Sequence, residues 1–72
     1  MGTLQDKVIE IMRSKGRPMT AVEISRLVFP DAPSWELSVK KTKIYNCLVR
    51  MEKYDEVRKG AMLDNQRLWV LV

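Results

Sequence analysis

Seventy-two residues, 46% of them hydrophobic and 31% charged, describe one small folded domain spanning residues 1–72 and exclude a disordered tail. One cysteine and no histidine exclude an internal disulfide or a zinc site within the chain and point to an intracellular, cytoplasmic home, while no apolar run approaches the ~18 residues of a membrane span. The formal net charge of +4 leans toward an anionic partner, and it equals the charge of residues 37–51 alone, which hold four basic residues and no acidic one.

The opening MGTLQDKV has neither the basic flank nor the apolar stretch of a secretory leader. The first helix is predicted from about Leu4 to Lys15. Thr3 caps it, with Asp6 at N3 reaching back as a weak capping box. Leu4, Val8, Ile11 and Met12 share one face, with Ile9 at its margin. Arg13 and Lys15 suit the negative end of the helix dipole, and Gly16 supplies a left-handed C-cap.

Arg17-Pro18-Met19 reads as a short extended link. Thr20-Ala21-Val22-Glu23 is a full capping box, flanked by Met19 and Ile24 as a hydrophobic staple, so a second helix starts at Ala21. Val22, Ile24, Leu27 and Val28 form its expected buried side. Pro30 ends it at Phe29 or just before. Phe29 to Leu37 then reads as a structured loop in which Ser34 caps an extra turn carrying Trp35.

The third helix is predicted from about Ser38 to Tyr54. Ile44, Cys47, Leu48 and Met51 recur at helical spacing and form one apolar stripe. Lys40, Lys43, Asn46 and Arg50 are expected on the opposite side. The tail reads as a β-hairpin, with Val57–Lys59 as one strand and Arg67–Val72 as the other. Residues 60–66 form the turn region, where Asp64-Asn65 tolerates positive φ.

This order of elements resembles the winged helix-turn-helix family, over nearly the whole chain. The likeness is carried by Thr20-Ala21-Val22-Glu23-Ile24-Ser25 and by Thr42-Lys43-Ile44-Tyr45-Asn46-Cys47-Leu48, a stretch similar to the family's recognition helices. Leu48, Met51, Glu52 and Val57 resemble the passage into the first wing strand, and Trp69 and Leu71 the pair that packs the wing on the core. The chain departs from the family by having Tyr54-Asp55-Glu56 where many members place glycine, and by a longer link between helices 2 and 3. The resemblance implies an α+β fold of three helices and a hairpin wing, and a double-stranded DNA partner.

On that resemblance, Lys40, Lys41, Thr42, Lys43, Tyr45, Asn46 and Arg50 are the DNA-contact candidates of helix 3. Arg58, Lys59 and Arg67 are those of the wing. Asn46 suits adenine, and Arg50 suits guanine or a phosphate. Lysines at a helix N-terminus oppose the macrodipole by roughly 0.3–1 kcal/mol each, a cost that a phosphate backbone reverses. The competing reading is a solvated basic face, with the wing cations protecting a sheet edge.

Cys47 and Trp69 are expected in the core. Arg26 is set either against Glu23 or against a DNA backbone. The sequence shows no catalytic constellation and suggests no enzyme, cofactor or metal. The expected function is a small transcriptional regulator, with its association left open between a monomer, a homodimer formed through helix 1 or a strand edge, and a domain of a longer protein. The alternative is a winged-helix protein–protein interaction module that uses Trp35 and its proline-rich loop.

Overall fold

A computed structural model describes residues 3–72. Its elements, in order, are α1 (Leu4–Lys15), β1 (Met19–Thr20), α2 (Ala21–Val28), α3 (Ser34–Lys53), β2 (Val57–Leu63) and β3 (Gln66–Leu71). The architecture is α+β, three helices followed by an antiparallel hairpin, in the winged-helix arrangement. Among the described residues no helix is long and apolar enough to cross a membrane.

Local chemistry sets the first boundaries where the sequence places them. Thr3 accepts a hydrogen bond from the Asp6 N–H, and the Asp6 carboxylate accepts one from the Thr3 N–H, closing the capping box of α1. Gly16 ends the helix at φ 63°, with its N–H donating to the Met12 carbonyl. At α2 only half of the expected box forms. Thr20 Oγ1 accepts from the Glu23 N–H, but the Glu23 carboxylate turns to the Arg17 guanidinium instead. Glu23 is thus taken by Arg17 and not by Arg26.

The buried face of α2 also differs from expectation. Ala21, Ile24 and Ser25 are buried, Val22 and Val28 are half-buried, and Leu27 is 40% exposed. A serine is tolerated inside because its hydroxyl donates to the Val22 carbonyl at 2.7 Å, which leaves no unsatisfied polar atom.

Helix α3 begins at Ser34, a turn earlier than Ser38. Ser34 is therefore its first residue and not its cap, and Lys40, Lys41 and Lys43 stand beyond the first turn, where the helix dipole no longer opposes them. Pro33 stands at the N-cap with φ −68° and ψ 160°, and its carbonyl receives the N–H groups of Glu36 and Leu37. The helix stops in a Schellman motif. Asp55 takes φ 59°, its N–H donates to the Glu52 carbonyl, and the Glu56 N–H donates to the Met51 carbonyl. Aspartate here does the work of the glycine that the resemblance leads one to expect.

The hairpin is longer than predicted and its turn tighter. Asp64 and Asn65, at φ 50° and 65°, form a two-residue turn that pairs Leu63 with Gln66. Between Lys59 and Met62 the register slips, so Gly60 and Ala61 bulge from the ladder. The link after α1 joins the sheet as β1. Met19 pairs with Trp69 and Thr20 with Leu68, giving the order β1-β3-β2. The core gathers Val8 and Met12 from α1 and Ile24 from α2. Ile44, Leu48 and Met51 join from α3, and Met19, Val57 and Trp69 from the sheet.

Candidate nucleic-acid interface

Helix α3 and the wing meet across a groove of about 330 Å³. It is lined by Lys41, Thr42 and Tyr45 from the helix and by Asn65, Gln66, Arg67 and Trp69 from the hairpin, with Ala21 and Val22 at the start of α2. Side-chain alternation along β3 puts Arg67 and Trp69 on one face of the sheet, the face turned toward α3. Trp69 is the buried floor. The Tyr45 ring meets it in a T-shaped contact, with centroids 6.0 Å apart at 77°. This contact joins the wing to the helix across the floor of the groove.

The ten candidate residues do not form one surface. Lys41, Thr42, Tyr45 and Arg67 border the groove. Lys43, Asn46 and Arg50 are exposed farther round α3. Thr42 Oγ1 donates to the Ser38 carbonyl at 3.0 Å, which fixes its rotamer. Arg67 Nη1 donates to the Gly60 carbonyl at 2.9 Å and thereby braces the bulge.

Three candidates are placed otherwise than their expected roles require. Lys40 does not lie opposite the apolar stripe. It precedes the buried Ile44 by four residues and so shares its side of the helix. Its ammonium lies 4.9 Å from the centre of the Phe29 ring and 3.4 Å from a Glu36 carboxylate oxygen, with the side chain only 22% exposed. Lys59 pairs with Glu52 of α3 at 3.8 Å. Arg58, opposite Val70 in the ladder, points to the sheet face away from α3. The groove's cations are thus Lys41 and Arg67.

Sequence reasoning missed Asn65 and Gln66 as members of the groove. Asn65 was legible as a turn former, but the length of the hairpin that carries it there was not. Cys47 takes no part. It is buried in the apolar stripe, where its Sγ lies 3.7 Å from Met51 Sδ and burial pushes its thiol pKa up. Among the described residues no cluster of His, Cys, Asp or Glu is arranged to hold a metal. Comparisons of the chain with family models, with curated proteins and with solved structures find no match.

Proposed function

We propose that this chain is a DNA-binding domain of the winged helix-turn-helix kind, acting in the cytoplasm in transcriptional control. The exposed face of α3 reads the major groove, and the wing rides on the backbone. The observation that carries the reading is the groove in which Lys41 and Arg67 stand on facing walls around Tyr45. Lys41, Lys43 and Arg50 have no acidic partner within ion-pair distance among the described residues. Two phosphates or one curved backbone segment would meet such cations without displacing an existing pair. Asn46, exposed beside them, supplies the amide that matches an adenine edge.

The test is fluorescence anisotropy on a pool of random duplexes. Non-specific affinity is expected at about 10⁻⁴–10⁻⁶ M near physiological salt. Replacing Lys41, Lys43 and Arg50 together by alanine should flatten the plot of log K against log salt by roughly 0.9 for each phosphate no longer neutralised. Asn46→Ala should leave that slope alone and relax base preference at one position. An unchanged affinity and slope in the triple variant would sink the reading.

The second reading is a protein-interaction module, favoured by Trp35, which is 79% exposed on the first turn of α3. Retention of an acidic protein with no retardation of any duplex would select it.

A further inference from the structure

One stripe of α3 belongs neither to the core nor to the groove floor. Trp35, Val39, Thr42, Asn46, Val49 and Lys53 follow one another at alternating steps of four and three residues. That is the spacing of a coiled-coil seam. All six are exposed, and three of them are apolar: Trp35 79%, Val39 56% and Val49 41%. Two β-branched residues and a tryptophan along one line of a solvated helix make a seam without a partner.

We propose that this seam pairs with the same seam of a second copy of the chain, antiparallel, as a two-fold symmetric dimer. The occupant follows from complementarity. When the stripe is laid antiparallel on itself about an axis between Thr42 and Asn46, Val39 meets the partner's Val49, and by symmetry Val49 meets the partner's Val39. Thr42 then faces the partner's Asn46, so the one amide in the seam has a hydroxyl to bond. At the ends Lys53 lies on the partner's Trp35, a cation over an indole face. Along the flank, Glu36 comes opposite the partner's Arg50. Glu36 uses one carboxylate oxygen for Lys40 within the chain, and among the described residues no cation pairs with the other, which can take that guanidinium. Head-to-head pairing of parallel helices would put Lys53 on Lys53 and strand Glu36 away from Arg50. The one repulsive contact of the antiparallel register is Lys43 against the partner's Lys43, close to the axis.

The interface is small, of the transient class. It covers Thr42 and Asn46, so a second copy and a duplex exclude each other from α3. Self-association thus holds the proposed reading helix in reserve at high concentration. The pairing itself does not depend on the DNA reading, and its test contains no DNA.

Sedimentation equilibrium of the full chain from about 10 µM to about 1 mM should show the particle mass rising from one chain toward two. Val39→Asp should raise the dissociation constant about tenfold or more, since a carboxylate then enters two apolar layers of the dimer. Glu36→Arg alone and Arg50→Glu alone should each weaken the dimer, because like charges then oppose at both flanks. An equimolar mixture of those two variants restores both opposite-charge pairs and should form a dimer with one chain of each kind. Lys43→Gln should tighten the dimer, because it removes the one repulsive contact near the axis. Far-UV circular dichroism establishes that each variant is folded; where Glu36→Arg is not, Glu36→Gln takes its place and should also loosen the dimer. A wild-type chain that stays monomeric throughout overturns the proposal. So does a dimer that Val39→Asp leaves intact, or a mixture no more associated than its components.

Discussion

Tyr45 and Trp69 stand edge to face, 6.0 Å apart, and together they tie α3 to the wing. The two residues do different work. Trp69 is almost wholly buried and pairs with Met19 and Lys59 across the sheet, so it is both core filler and the central strand's anchor. Tyr45 is half out in solvent and contributes chiefly this one aromatic contact. Trp69→Ala should therefore lower stability by about 3–5 kcal/mol, a loss that this domain cannot sustain. Tyr45→Ala should cost less, about 1–3 kcal/mol, which is about 0.5–1.5 for the aromatic pair together with the buried half of the ring. Urea denaturation followed by far-UV circular dichroism measures both. A tyrosine variant as damaging as the tryptophan variant would contradict this division.

Two helix ends reach the left-handed region with different residues, and substitutions there should move stability in opposite directions. Gly16 sits at φ 63°, and nothing lies within 4 Å of where a Cβ would be. Gly16→Ala therefore meets no clash and is charged only for strain, about 1–2 kcal/mol. Asp55, at φ 59°, carries that strain already. Asp55→Gly should raise stability by about 0.5–1 kcal/mol, because relief of strain outweighs the added freedom of the unfolded chain. Thermal unfolding of the two variants, side by side, checks both signs.

The helices were largely legible because their ends carry short-range chemistry. Thr3 with Asp6, Gly16 and Thr20 fix three boundaries by bonds spanning no more than four residues. The apolar stripe of α3 was equally plain, since its period is local. What escaped depends on the rest of the fold. β1 is two residues long and exists only because β3 lies beside it. Lys40 is a different case: its spacing of four from Ile44 already sets it on the inner side of the helix, and only its partners, Phe29 from the end of the preceding helix and Glu36, had to come from the fold. Lys59 and Arg58 are neighbours in sequence, yet pleating sends one toward Glu52 and the other to the far side of the sheet. The groove belongs to the same class. Its helical wall was readable, but its hairpin wall required the Asp64-Asn65 turn to be tight enough to carry strand pairing out to Leu63 and Gln66.

The Arg17–Glu23 pair links the connection after α1 to the first turn of α2, and it makes a pH dependence. The Arg17 guanidinium, hydrogen-bonded to the Glu23 carboxylate, holds that carboxyl below its ordinary range. The unfolded chain lacks this pairing and binds the proton more readily. The pair's contribution is therefore present above the ordinary glutamate range and is lost as pH falls through the depressed value. The pair is solvent-exposed, so the effect is modest and weakened by salt. Thermal melts from about pH 7 down to about pH 2.5 should show wild type losing its margin over Glu23→Gln at the acid end. Equal separation of the two proteins at every pH would show that the ion pair contributes nothing beyond the side chain's bulk.

Cys47 supplies a direct probe of the core beneath the proposed interface. Its Sγ is packed against Met51 Sδ, and burial raises the thiol's pKa, which lowers the thiolate fraction at neutral pH. Alkylation requires both the thiolate and access to it. Reaction with iodoacetamide at pH ~7.5 should therefore be slow in the native protein and rise to the rate of a free thiol in about 6 M guanidinium chloride. Because Ile44, Cys47 and Leu48 face inward while Lys43 and Asn46 face outward, loading the outer face of α3 should not change the native rate by local shielding. Any protection on adding duplex or on concentrating the protein would instead report that the fold itself has been stabilised. Protection on concentrating the protein should fall away in Val39→Asp when the cause is self-pairing, and protection on adding duplex should fall away in the Lys41, Lys43 and Arg50 triple variant when the cause is bound DNA. A Cys47 that alkylates in native protein as fast as in denaturant would show that the apolar stripe of α3 is not sealed against its neighbours.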